Sequence, residues 1–258
     1  MIPALFVSRF QFKRQLPWLV FATLLGALSV LAYLPPALET QRYVRGEMPE
    51  LFTVLGFFGD SSLNMLVVSL LFGFLLPLTH SVYAIRQASR LVSKPLEDGR
   101  MAMLLSAPHR KMAILHTLWL VMLAGSVLLV LFSFLGQAVT ALILFDNINM
   151  VSLLPLNLGF LPVSLLCCAI ALFLAVTSED ARALKRRSRL VFIVMLVLLM
   201  ASRLPGWTRQ LRYLTFWSFF DGSALALGSI AWLPLTLALA LALMLVMLSM
   251  VFFSKREL

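Results

Sequence analysis

Six apolar runs, each set off from the next by a polar or basic stretch, constrain this chain more than any other feature. They lie near Leu16–Leu38, Ser61–Tyr83, Ile114–Leu135, Leu156–Val176, Leu190–Ala201 and Ile230–Phe253. A bilayer core of about 30 Å takes roughly 20 apolar residues as a helix, since a helix satisfies its own backbone hydrogen bonds where no water can. The fifth run is short where Arg203 closes it. Hydrophobic residues make up 61% of the chain, charged residues 12%, and mean hydropathy is +0.97, which leaves no room for a soluble domain. The expected fold is all-α: one polytopic transmembrane domain over residues 1–258 with six membrane-spanning helices. The first run is too long for a signal-peptide core and has no small-residue cleavage pattern before Pro35-Pro36, so it reads as a retained helix.

Basic residues set the orientation. With both termini inside, sixteen Lys and Arg fall on the cytoplasmic side. They cluster at Arg9–Arg14, Arg86–Lys111, Arg182–Arg189 and Lys255-Arg256. Only Arg42, Arg45, Arg203, Arg209 and Arg212 fall outside. That bias places both ends in the cytoplasm of a plasma membrane. The net charge of +10 then reflects attraction to an anionic lipid leaflet rather than nucleic-acid binding. Cys167 and Cys168 are adjacent within the fourth run, point about 100° apart on a helix, and read as apolar filler rather than a disulfide or metal site.

Two flanking stretches are amphipathic. Phe6, Phe10 and Phe12 alternate with Arg9, Lys13 and Arg14, the pattern of a short helix lying on the membrane surface and turning into the first span near Pro17. The last external connection, Arg203 to Ser229, holds Trp207, Tyr213, Phe216, Trp217, Phe219, Phe220, Asp221 and Gly222. It is too aromatic for a solvated loop and too interrupted for a span. A pair of short interfacial or re-entrant helices fits, and Phe216, Phe219, Phe220, Asp221 and Gly222 are its candidate external gate.

The chemistry that is missing narrows the function. No Gly is followed by Lys, so a phosphate-binding P-loop is absent. His80, His109 and His116 are scattered, neither His80 nor His116 has a companion carboxylate at helical spacing, and no catalytic or metal-ligating constellation occurs, so no enzyme activity is expected. The middles of the spans carry mild polar groups such as Asn64, Ser69, Ser126 and Ser133 rather than acids or bases. An ion-coupled carrier needs ionisable groups at that depth. A chain that moves material with neither an ion site nor an ATP site takes its energy from a partner.

Between the second and third spans, Glu97 to Lys111 forms a short amphipathic segment with Met101, Leu104 and Leu105 at helical spacing, then Pro108, Arg110 and Lys111. This segment resembles the coupling region of ABC transporter type-2 permeases, whose pattern is roughly E-x-G-T-x-E-x-L-L-x-x-P followed by a basic residue. Glu97, Gly99, Leu104, Leu105, Pro108, Arg110 and Lys111 match. Arg100 stands where Thr is usual, and Ala102 where the second Glu is usual. Lys13-Arg14-Gln15-Leu16 is similar to the family's N-terminal K-R-E-L. Leu211 through Gly228 resembles its L-x-Y-L-S-P-F…D…G stretch, and Phe253 to Leu258 its terminal F-x-x-R-D-L.

The resemblance implies the permease subunit of an ATP-driven exporter. It would pair with an identical or related second permease subunit and sit on separate ATP-binding subunits that hold the ATP and Mg, with no cofactor of its own. Glu97, Gly99, Met101, Leu104, Leu105, Pro108, Arg110 and Lys111 would then be the ATPase-coupling residues. A non-transporting membrane scaffold of the same layout stays open as a second reading.

Overall fold

A computed structural model describes residues 2–48, 63–105, 111–145, 153–204, 206–229 and 231–255. The turn expected at Asp146, Asn147 and Asn149, the acids Glu50 and Asp60, and the terminal Arg256-Glu257-Leu258 lie outside the described residues. Within them every regular element is a helix.

Among the described residues, five helices are long and apolar enough to cross a bilayer: Phe12–Leu31, Val68–Glu97, Lys111–Leu144, Leu154–Thr177 and Trp232–Lys255. The sixth expected span is the difference. Its apolar residues end a 21-residue helix, Ala181–Ala201, whose first turns carry Arg182, Lys185, Arg186, Arg187 and Arg189. Length and composition therefore give five spans, with this helix left over.

Boundaries moved where local backbone chemistry overrode hydropathy. The first long helix stops at Leu31, and a separate helix begins at Pro35 and runs to Glu47. Proline is favoured in the first turn, where its missing N–H would have no helical partner anyway. At the other end, a helix from Pro3 to Phe10 breaks at Gln11, which sits at φ 37° in the left-handed region. The turn therefore falls at Gln11 and not near Pro17, which lies inside Phe12–Leu31. The second span is one rod containing two wide π-helical segments, Val68–Leu75 and Ser89–Ser93.

Lipid tails are as apolar as leucine, so burial alone drives little helix association in a membrane. Close backbone packing and interhelical hydrogen bonds do more of the holding. Among the described elements, the Phe12–Leu31 and Lys111–Leu144 helices pack together most extensively. They cross at Gly26 and Gly136. A Cβ on Gly26 would run into the Ser133 carbonyl, and one on Gly136 into the Thr23 carbonyl.

Neutral polar pairs lock the same bundle. Asn157 Nδ2 donates to Gln137 Oε1 at 2.9 Å, Ser126 donates to Ser164 at 3.3 Å, and Gln87 Nε2 donates to Gln15 Oε1 at 2.9 Å. The Tyr83 hydroxyl donates to the same Gln15 oxygen at 3.2 Å. It reaches there because Gly125 has no side chain to block it. Cys167 and Cys168 are free and buried in the apolar core around Leu154–Thr177.

The glycine crossing yields a direct test. Gly26→Val or Gly136→Val forces the two backbones apart and should cost about 1–3 kcal/mol or more, read as a lower thermal midpoint of the purified chain in detergent. Gly46, where an added Cβ would meet nothing within 4 Å, is the control: Gly46→Ala should melt like the wild type. Wild-type melting of Gly26→Val would show that the crossing is not tight.

Candidate functional site

Two regions gather the residues expected to matter, one at each end of the second span. At the first, the span closes with Lys94–Glu97, and the chain reverses at Asp98-Gly99 into a six-residue helix, Arg100–Leu105. Gly99 takes φ +71°, a conformation that costs a residue with a Cβ more than it costs glycine. The turn is held by Asp98 N–H to Lys94 O at 2.8 Å and Ala102 N–H to Gly99 O at 3.1 Å. Asp98 and Arg100 form an exposed ion pair at 2.8 Å, worth at most about 1 kcal/mol.

Glu97 does something the sequence pattern did not reveal. Its Oε2 accepts the Ala181 backbone N–H at 3.4 Å, at the start of the Ala181–Ala201 helix. Asp180 caps the same helix end by accepting from Ala183 N–H. The 100–105 segment thus hangs through Gly99 from the second span, and Glu97 at the end of that span ties it to the Ala181–Ala201 helix.

Met101 and Leu104 of the Arg100–Leu105 helix face the protein. Met101 is 1% exposed within the core, and Leu104 is half-buried against it. Met103, at 77% exposure, points away. A surface helix pins itself by its apolar face, so Met101 acts as an anchor, and Ala102 and Met103 form the exposed face. The Leu105 side chain, Pro108 and Arg110 lie outside what the structure describes. Lys111 is half-buried at the start of its long helix.

At the other end, the expected pair of short helices is a set of three: Trp207–Leu214, Phe216–Phe219 and Gly222–Ala226. They cover a cavity of about 400 Å³. Its aromatic wall joins Phe220 and Trp217 to Phe160, with ring centroids 5.4 and 6.1 Å apart, and Phe220 to Phe72 at 5.2 Å. Phe216 lies behind Trp217 at 4.6 Å, and Phe219 packs on the core. Asp221 Oδ1 accepts from Ser223 Oγ and Ala224 N–H, so this carboxylate caps a helix. Gly222 is buried, and a Cβ there would press on Phe220 and Val68.

Arg203, Arg209 and Arg212 also line the cavity. Arg203 Nη2 donates to the Gly73 carbonyl at 2.8 Å, and burial pushes its guanidinium down to about 10. Phe72, Phe160, Trp217 and Arg203 are the site residues that sequence reasoning missed. Phe72 and Phe160 sit in apolar runs where any large side chain reads as span filler, and only their convergence with the 207–226 segment distinguishes them.

The architecture has a counterpart among known sequence families. Residues 3–254 match the family described as multidrug efflux system permease Rv1217c, C-terminal domain. No individually curated protein matches the chain. A match over nearly the whole length, with five span-length apolar helices among the described residues, makes this a multi-pass membrane protein that belongs to the family of the multidrug efflux system permease Rv1217c C-terminal domain.

Proposed function

We propose that the chain is the permease subunit of an ATP-driven ABC exporter. It would work as a homo- or heterodimer around a shared pathway, each permease seated on a separate ATP-binding subunit that supplies the ATP and Mg. The observation that carries this reading is the Arg100–Leu105 helix: anchored by Met101, presenting Met103 outward, and joined through Gly99 to the second span, which Glu97 in turn ties to the Ala181–Ala201 helix. A short rigid element that offers an apolar side chain to a partner groove and moves two helices together suits transmission of rigid-body motion. Methionine suits such a groove because it packs tolerantly.

The distribution of acids supports borrowed energy. Within the five span-length helices the only Asp or Glu is Glu97, at the very end of one of them. The buried polar residues in between are neutral amides, hydroxyls and one histidine. Among the described residues, nothing at mid-depth could bind and release a coupling proton through a carboxylate.

A sixth crossing by Ala181–Ala201 fits the same reading. One end of this helix meets Glu97, where the second span finishes, and Arg203 just past its other end reaches Gly73, where that span begins. At 1.5 Å per residue, 21 residues give about 31 Å, a bilayer thickness. Six crossings return both termini to the cytoplasm, with the basic first turns of this helix at the inner headgroups. The Trp207–Ala226 segment then folds back at the outer leaflet as an external gate. Phe220, Asp221 and Gly222 line the 400 Å³ cavity, and Phe216 and Phe219 back that wall.

Met103→Asp tests the coupling role without disturbing the core, because the side chain already faces solvent. It should abolish co-purification with the ATP-binding subunit, or its ATPase stimulation, while the permease alone expresses and melts normally; a charge in an apolar groove without a partner costs on the order of 2 kcal/mol or more. Full recovery of the complex from Met103→Asp would sink the assignment. Orientation is tested separately. In a Cys167→Ala, Cys168→Ala background, Arg186→Cys should resist an impermeant thiol reagent in intact cells, and Glu47→Cys should label. The reverse pattern would overturn the positive-inside orientation.

A further inference from the structure

The kink at Gln11 builds a second hollow that the transport reading leaves unused. The chain breaks there at φ 37°, which brings Arg9 from the Pro3–Phe10 helix and Arg14 from the next helix around one opening of about 300 Å³. Arg90, near the end of the second span, is the third cation in its wall, and among the described residues no Asp or Glu lines it. Arg90 Nη2 donates to the Arg9 carbonyl at 3.2 Å, which fixes one guanidinium across the opening. Leu5, Leu91 and Leu104 form its apolar side, and Ser8 and Gln11 also line it. Burial first, and the nearby Arg100 charge second, hold Arg9 below the ordinary arginine value.

Three guanidiniums converging without a carboxylate repel one another and present a fork of donors that matches a phosphate. Leucines beside them match the start of an acyl chain. The hollow also sits where the first and second spans end together, which is the depth of lipid headgroups.

We propose that the Arg9/Arg14/Arg90 hollow binds the phosphate headgroup of an anionic phospholipid, with the acyl chains leaving along Leu5 and Leu91. Only the leaflet depends on the orientation proposed above; that orientation makes it the cytoplasmic one. Leu104 of the Arg100–Leu105 helix lies in the same wall, so a bound lipid props the segment from which Met103 projects. The ligand chemistry is a phosphate ester anion, and a free phosphate compound is its other source.

The lipid readout uses the chain without any ATPase, so it is independent of the exporter reading, and co-expression with an ATP-binding subunit is a separate arm. The chain is placed in nanodiscs of phosphatidylcholine with or without phosphatidylglycerol, and retained lipid is read by native mass spectrometry together with the thermal midpoint. Wild type should retain phosphatidylglycerol and melt higher with it. R9Q/R14Q/R90Q should bind it at least about tenfold more weakly, the loss expected on removing charge-assisted hydrogen bonds. R182Q/R186Q, which removes two exposed arginines elsewhere, should behave as wild type. Arg14 is exposed, so R14Q alone serves if the triple variant does not fold, and it should lower retention in the same direction.

Equal retention by wild type and R14Q would overturn the proposal. So would an equal loss in R182Q/R186Q, which would mean general surface charge. Glycerol phosphate in neutral nanodiscs reproducing the full shift would assign the hollow to a soluble anion instead of a lipid. Arginine variants that keep the lipid but lose a co-expressed ATPase would assign it to a protein partner, and the lipid proposal would fall.

Discussion

Contact between two backbones at Gly26 and Gly136 decides where much of this molecule lies. In a bilayer, side-chain burial between helices gains little, so approach distance and hydrogen bonds carry the packing. The tight crossing sets the path of Phe12–Leu31 across Lys111–Leu144, and three turns further toward the N-terminus the same rigid helix delivers Gln15 to Tyr83 and Gln87. Trp18 packs edge-on against Tyr83 at 5.6 Å, and Arg86 lies over the Trp18 ring at the same distance. A wider crossing would separate Gln15 from its partners and strand buried amides, each costing more than the hydrogen bond itself contributes. Beyond Gln15 the chain breaks at Gln11, so the position of the arginine hollow follows from a glycine pair some fifteen residues away.

The helical, membrane-spanning character was legible because it rests on composition and run length, which no tertiary contact can override in lipid. The helix starting before Leu190 was legible only in part. Ser178-Glu179-Asp180 marks its beginning, and Asp180 does cap it, but hydropathy hides the nine basic-rich residues that precede its apolar half. The left-handed Gln11 carries no sequence mark, since neither glycine nor asparagine stands there. The π-helical segments of the second span are silent for a similar reason: an extra residue per turn leaves apolar composition unchanged.

Side-chain direction was the least legible level. Met101, Leu104 and Leu105 form a stripe at helical spacing, and spacing alone cannot say whether a stripe meets the protein's own core or a partner. The position of Met101 inside the core settles its direction. In the same way, Phe216, Phe219 and Phe220 stood out because they interrupt a connection, whereas Phe72 and Phe160 did not, although all five join one aromatic assembly or its backing. Those contacts link residues nearly 150 positions apart, and no local periodicity encodes such a meeting.

The second span joins these regions physically. Its Val68–Leu75 end supplies Phe72 to the aromatic wall and the Gly73 carbonyl to Arg203; its other end supplies Arg90 to the hollow and leads through Gly99 into Arg100–Leu105. Both ends are π-helical near these contacts, and a wide turn accommodates a change of register at lower cost than a regular α-helical turn, which is why such segments recur at functional sites. Under the exporter reading, a push on Met103 reaches the outer cavity by two rods at once, Val68–Glu97 and Ala181–Ala201, which are joined to each other at both ends. Rods pinned at both ends move together, so displacement at one end must appear at the other as motion of Phe72 and Arg203 against the Trp207–Ala226 cover. Cutting the Glu97 link leaves only one rod driven. A chain so altered would still dock its ATPase through Met103 but couple hydrolysis to the outer cavity less tightly.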